Sequence, residues 1–281
     1  MINLIVFSKD RACQLDLLLR SIAMLGWRDS FYVKIIYKAS NNEYNAGYKQ
    51  CSLDNPWAKF ELEYGPEAYK PGFEDKAGLQ SELNRAMLTK RKIDFQCLST
   101  DDMVFFRKQE TNLLDVIKDL PDNGVFSLRL GLNTIIQDYH LQSKQPILNK
   151  YVREGNILRW NPNDYPPLAN YGYPLAIDCH VLRTEKMEDL CNRFKWKTTN
   201  ELEGGWQRFR NEITELWSYE HSVAVNIPAN SISGVTRAGE VHGYSPELLN
   251  EQYLLGKRID LGEILSQEIV GCHQEIELRL I

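Results

Sequence analysis

Across the first hundred residues, short apolar runs rich in branched side chains alternate with stretches in which apolar residues recur every three or four positions. Ile2 to Phe7 is such a run. It stops at Ser8-Lys9-Asp10-Arg11, after which Leu15, Leu18, Leu19, Ile22 and Leu25 mark one helical face until Gly26. Tyr32 to Tyr37 reads as a second strand, Tyr44 to Pro56 as a helix, and Phe60 to Tyr64 as a short alternating strand before Gly65-Pro66. Phe73 to Lys92 then carries Leu79, Leu83, Ala86 and Met87 on one helical face. Residues two apart share a strand face and residues three or four apart share a helix face, so each change of period marks an element. Strands joined through helices pair in parallel, and a parallel sheet needs cover on both faces. The chain therefore predicts an α/β fold with a mostly parallel central sheet flanked by helices.

The next apolar run, Phe95 to Phe106, holds Asp101 and Asp102 in its middle. Ionised carboxylates are rarely buried unless they are paired or bound to a metal. A strand ending at Ser99 or Thr100 would set both at its carboxyl end, where open α/β sheets hold their ligands. Hard oxygens there suit Mg2+ or Mn2+. The other reading is a turn between two short strands, with the side chains capping backbone groups.

After this pair the pattern changes. Gly124 to Gly131 reads as a strand with Arg129 inside it, a charge that needs a carboxylate or a substrate phosphate as partner. From Asn133 to Pro174 few regular elements are visible, and Trp160, Tyr165, Tyr171 and Tyr173, with Trp206 beyond, are rings that either stack on sugar faces or anchor a core. Leu175 to Leu182 reads as a strand, Thr184 to Lys195 as a helix, and Thr198 to Trp206 as the opening of another helix with Glu203 near its start. Ser222 to Pro228 reads as a strand, and a mainly charged helical tail follows Pro246. The expected organisation is one domain over 1–245, with halves 1–106 and 107–245, and a helical tail over 246–281.

With 281 residues and 43% hydrophobic composition the chain can bury a large core. A net charge of −5 and no long basic run argue against nucleic acid as a partner. The apolar run at the amino terminus is too short for a membrane helix and lacks a preceding basic region, and no later segment is long and apolar enough to span a bilayer. The six cysteines have no CxxC spacing, which points to reduced, buried thiols of a cytoplasmic protein and to neither a zinc site nor a disulfide framework.

The order of these features resembles the GT-A fold of nucleotide-sugar glycosyltransferases, family 2-like: a first strand running into a polar loop at Ser8 to Arg11, alternating β/α units, an acidic pair closing a central strand, and a second half built around an acceptor region. Thr100-Asp101-Asp102 is the counterpart of the family's DxD motif, with Thr100 where the first carboxylate usually stands. The resemblance implies a glycosyltransferase that takes a nucleoside diphosphate sugar, uses Mn2+ or Mg2+, and delivers the sugar to a saccharide or other hydroxylated acceptor, in making a cell-surface or secreted glycan. It implies Asp102 as metal ligand and Asp101 as the residue orienting ribose or the groups behind the metal. His242, in Arg237 to Gly243, would complete the metal site. Glu203, or failing that Glu201, would be the base of an inverting transfer. Phe7, Ser8, Lys9, Arg11, Ser40 and Lys76, with Lys70 nearby, would lie at the nucleotide end.

Each assignment has a plainer counterpart. Glu203 follows Asn200 by three residues, the spacing of a capping box, and Glu201 can be a favourable charge at the helix start. A nucleotidyltransferase would use a similar sheet and metal but commonly opens on a glycine-rich phosphate loop, and Phe7 to Arg11 has no glycine. A non-catalytic nucleotide- or carbohydrate-binding module of the same fold would accommodate Thr100 in place of a carboxylate.

Overall fold

Along β1 (Ile2–Lys9), Ile2, Leu4 and Val6 alternate with Ile5 and Phe7, and the two sets enter two different hydrophobic cores on opposite faces of one sheet. The computed structural model describes residues 1–63, 78–88, 93–138, 143–230, 239 and 241–281. After β1 come α1 (Ala12–Met24), β2 (Phe31–Lys38), α2 (Asn42–Asp54), β3 (Lys59–Leu62), α3 (Leu79–Met87) and β4 (Phe95–Thr100). Leu15, Leu18, Leu19 and Ile22 of α1 are fully buried against one face, as their spacing predicts. Each such side chain contributes roughly 1.5–3 kcal/mol relative to exposure. Leu83, Ala86 and Met87 of α3 cover the other face.

The chain continues through β5 (Met103–Phe105), α4 (Leu113–Ile117), β6 (Gly124–Ser127), β7 (Ile136–Asp138), β8 (Ser143–Lys144), β9 (Val152–Glu154) and β10 (Ile157–Trp160). Then follow β11 (His180–Arg183), α5 (Thr184–Asn192), α6 (Thr199–Trp206), β12 (Glu215–Tyr219), β13 (Ala224–Asn226), α7 (Pro246–Leu254) and α8 (Leu261–Leu265). Among the described residues the main sheet has nine strands in the order β3-β2-β1-β4-β11-β6-β12-β10-β9. Only β11 and β10 run against the others, since each pairs antiparallel with both neighbours while all remaining pairs are parallel. The mostly parallel sheet flanked by helices is the expected class.

The run from Phe95 to Phe106 divides at the acidic pair as expected: β4 ends at Thr100, Asp101-Asp102 turn, and β5 leaves to pair with β13. The two readings of the acidic pair therefore coincide, a turn at a strand's carboxyl end. The strand expected from Leu175 begins only at His180, because Cys179 sits at φ 55 and redirects the chain. The tail is helical only in α7 and α8; residues 266–281 are not helical, and Ile269, Ile276 and Leu278 share a core with Leu15 and Trp27. The six cysteines are free and buried, as expected. No helix of the described residues is long and apolar enough to cross a membrane.

Candidate active site

From β1 the chain steps outward to β2 and β3, then returns to place β4 on the opposite side of β1. That reversal is a topological switch point, and such sheets bind ligands there at the carboxyl ends of the strands. Parallel pairing, with Phe7 opposite Thr100, brings the residues after each strand to the same edge. Ser8 Oγ donates to Asp101 Oδ2 at 2.8 Å, and one nitrogen of Arg11 lies 3.1 Å from Asp101 and 3.1 Å from Asp102. The same guanidinium donates to the side-chain oxygen of Asn230 at 2.8 Å and to its backbone carbonyl. Tyr48 OH accepts from the Arg11 backbone N–H and shares a 2.6 Å hydrogen bond with Ser8.

One guanidinium balances one of two carboxylates, so the cluster keeps a residual negative charge when both are ionised. Burial pushes the Asp101 carboxyl up to about 6, against the pull of Arg11 and with the repulsion of Asp102. Arg11 itself is raised: burial works against its charge, and Asp101 and Asp102 overcome that.

Beside this, Asp10 adopts φ 56, a left-handed conformation that aspartate tolerates better than most residues. The turn aims its carboxylate at Ser40, whose backbone N–H and Oγ donate to it at 2.7 and 2.6 Å. The loops after β1 and β2 are thereby fastened to each other.

A second cluster lies across β4, over β11 and β6. Asp178 accepts from Thr100 Oγ1 at 2.9 Å, stands 3.4 Å from the Arg129 guanidinium and is 3.1 Å from His273 Nε2. Burial pushes the Asp178 carboxyl up; His273, Arg129 and Thr100 outweigh it and hold the carboxyl well below its usual range. Arg129 thus finds the carboxylate partner its place in an apolar run demands. Asn226, at the end of β13, joins the clusters: its amide donates to Asp102 Oδ1 at 2.9 Å and to Thr100 Oγ1 at 3.3 Å.

Glu203 faces this second cluster from α6. Burial first, and then the negative charge of Asp178, push its carboxyl up to about 7; Arg129 and hydrogen bonds from the Ile177 backbone and the Tyr173 hydroxyl partly offset them. Capping does not occupy it. Thr198 is the N-cap and accepts from the Glu201 backbone N–H at 3.2 Å, and Glu201 accepts from the Lys197 backbone N–H at 2.7 Å, so Thr198 and Glu201 close the helix start.

Ser8, Arg11, Asp101 and Asp102 are brought together, and Ser40 joins them through Asp10. Phe7 is buried in the sheet, and Lys9 is exposed at the end of β1. His242 is exposed with its ring 6.0 Å from that of Tyr244, and no hydrogen bond joins it to Asp102. Lys70 and Lys76 lie outside the described residues. Trp160, Tyr165, Tyr171 and Trp206 are buried, and the first three pack ring against ring, so they anchor the core; Tyr173 reaches Glu203. Asp10, Asp178, Asn226 and His273 were not singled out in the sequence. Asp178 carries the same signal as the acidic pair, a carboxylate in an apolar run, whereas nothing local marks His273.

Among the described residues no three His, Cys, Asp or Glu side chains converge to hold a metal. Mg2+ and Mn2+ need no such cage, because one or two carboxylates suffice when substrate phosphates and water complete the shell. Asp102 fits that role: its side chain is 11% exposed against 4% for Asp101, and each oxygen accepts one hydrogen bond, which leaves a lone pair.

No family model matches the chain, and no curated protein matches it by sequence. Among solved structures it is similar to S. aureus TarS 1–349 in complex with UDP, at 11% identity and a TM-score of 0.46, covering 78% of this chain and 57% of that one. It is also similar to 4-diphosphocytidyl-2C-methyl-D-erythritol synthase of Anaerococcus prevotii, at 13% identity and a TM-score of 0.39, covering 91% and 96%. A mannosyltransferase of Pyrobaculum calidifontis in complex with GDP-Man and Mn2+ is similar over 45% of this chain and 34% of that one, at 17% identity and a TM-score of 0.31. The chain spans about a third of the chain in a further structure of S. aureus TarS, 34%.

Proposed function

We propose that this chain is a metal-dependent, inverting glycosyltransferase that moves a sugar from a nucleoside diphosphate sugar to a hydroxyl of a saccharide-like acceptor. The observation that carries the reading is the order of chemistry across the sheet. Over β2 and β1 lies the Asp10–Ser40 pair, a hydrogen-bonding edge for a nucleoside. Over β1 and β4 lie Arg11 and two carboxylates, suited to a diphosphate and its cation. Over β11 and β6 lie Asp178, Arg129 and Glu203, where a sugar and its acceptor would meet.

In this reading Asp102 would hold a divalent ion, whose positive charge would offset that of a diphosphate leaving group. Arg11 keeps the two carboxylates from repelling each other and adds a fixed cation beside the phosphates. Glu203, with a carboxyl at about 7, takes the proton of the acceptor hydroxyl near neutral pH. Ile177 and Tyr173 aim its carboxylate, and Asp178 sets its basicity.

Melting temperature tests the sugar-donor assignment, because a ligand bound only by the folded state raises it. UDP, GDP, CDP and TDP are each added with and without Mn2+, and one nucleotide is expected to stabilise the protein only with metal. Asp102→Asn should abolish that metal-dependent increment and leave the unliganded melting temperature within a few degrees of the parent. An unchanged increment in the variant removes Asp102 from the metal site.

Basicity gives a second check. Only ionised Glu203 accepts a proton, so kcat/KM should rise with pH to a plateau above about 7. Asp178→Asn removes a negative neighbour and frees Arg129, and both changes favour ionised Glu203. The rise should therefore move to lower pH, and a move to higher pH would contradict the assignment.

A further inference from the structure

Two donors converge on one oxygen of Asp178: the Arg129 guanidinium at 3.4 Å and His273 Nε2 at 3.1 Å. The carboxylate accepts only and, at 3.1 Å, lies nearer to Nε2 than the Arg129 nitrogen that approaches the same atom at 3.4 Å, so Nε2 turns a ring proton toward Asp178. In the imidazole form of the ring Nδ1 is then a bare acceptor. Among the described residues nothing bonds to Nδ1. The His273 side chain is 44% exposed while that of Asp178 is 9% exposed, so the ring stands between a buried carboxylate and open space.

The backbone fixes where this ring sits. Asn226 N–H donates to the Cys272 carbonyl at 2.9 Å, and Gln274 N–H donates to the Asn226 carbonyl at 2.9 Å, which brackets His273 on both sides. The side chain of the same Asn226 donates to Asp102. One residue thus sets the spacing between the carboxylate assigned to the diphosphate's cation and an imidazole lone pair. A sugar joined directly to a diphosphate needs that adjacency.

We propose that His273 is a specificity-determining residue whose Nδ1 accepts a hydrogen bond from a hydroxyl of the transferred sugar, an inference that rests on the sugar-donor reading above. A site built to bond a hydroxyl discriminates against an analogue that lacks it, because the bare acceptor is left unpaired.

The test uses the full chain and His273→Gln. Glutamine keeps a donor within reach of Asp178 and so keeps the segment in place, but offers no acceptor where Nδ1 stood. Dissociation constants are measured with Mn2+ for UDP, GDP and TDP and for UDP-glucose, UDP-N-acetylglucosamine, GDP-mannose and TDP-glucose. The expected result is unchanged affinity for the bare nucleotide and about tenfold weaker binding of its sugar conjugate in the variant. Long-range 15N correlation spectra of the parent protein should report the Nε2–H tautomer for His273. A sugar-dependent increment that survives the substitution, a loss of bare-nucleotide affinity equal to that of the conjugate, or an Nδ1–H tautomer overturns the inference and leaves the sugar-donor reading standing. Absence of any nucleotide binding by the parent protein overturns both.

Discussion

Glu203→Gln should lower kcat roughly 10^2- to 10^4-fold, the range supplied by a positioned general base. The substitution is nearly isosteric, and its carbonyl oxygen can still accept from the Ile177 N–H, so nucleotide binding should persist. Stability should change in a pH-dependent direction. The folded-state pKa of Glu203 lies above its ordinary value, at about 7. The native state therefore holds this proton over a window in which the unfolded chain has released it, and the associated stability is lost as pH rises through 7. Glutamine removes that loss, so the variant should melt above the parent at pH 8 and match it most closely in acid. A variant that retains the parent's kcat, or that melts lower at pH 8 than at pH 6 relative to the parent, rules out the base assignment. A gain in stability with loss of turnover is the signature of a group kept in an uncomfortable place for its chemistry.

Arg11→Ala should be the most destabilising single change at the site, by about 3–5 kcal/mol, because it leaves two adjacent carboxylates desolvated with no counter-charge. The guanidinium also ties the loop after β1 to Asn230, so the loss is electrostatic and structural together. Acid should relieve it. Asp101 in the parent already has a pKa raised to about 6, so its ionisation costs stability as pH rises through that value. Without Arg11 the cost grows and the window moves upward. Urea unfolding at pH 7.5 and 5.5 should therefore show the difference between parent and variant shrinking at the lower pH. A difference that is constant or larger at pH 5.5 would mean that the two carboxylates are not what Arg11 stabilises.

The half of the chain that folds by local rules was legible in the sequence. β1, β2, α1 and α2 lie within about two residues of where periodicity puts them, because each buries a regular face. α3 is shorter than the expected Phe73 to Lys92, whose two ends fall outside the described residues. β9, β10 and β12 were missed. The first two sit at the sheet's far edge and are only three and four residues long, with β9 exposed throughout, and β12 mixes Glu215 and Ser218 into its five positions.

The site divides in the same way. Asp101, Asp102 and Arg11 stand where strands end, and strand ends can be read from a run of apolar residues. Asp178 and His273 meet across 95 positions, and Asn230 reaches Arg11 across 219; no spacing rule connects residues so far apart. Arg129 was legible as a charge in need of a partner, but not which partner. Cys179, at positive φ beside Asp178, is a non-glycine outlier of the kind that collects at functional sites, and its conformation leaves no mark on residue identity.

The paired hydrogen bonds that bracket His273 carry a consequence for dynamics. The long-range backbone hydrogen bonds of residues 272–274 go to one short strand, β13, so breaking them is a local opening with a lower free energy than global unfolding. In that opened state Asp178 loses one of its three donors, and the backbone on both sides of Asn226 is uncovered. Amide exchange at Asn226 and Gln274 should therefore run faster than at β1 and β4. Any ligand that bridges Asp102 and His273 should slow it at both positions together, which makes this pair of amides a built-in gauge of occupancy.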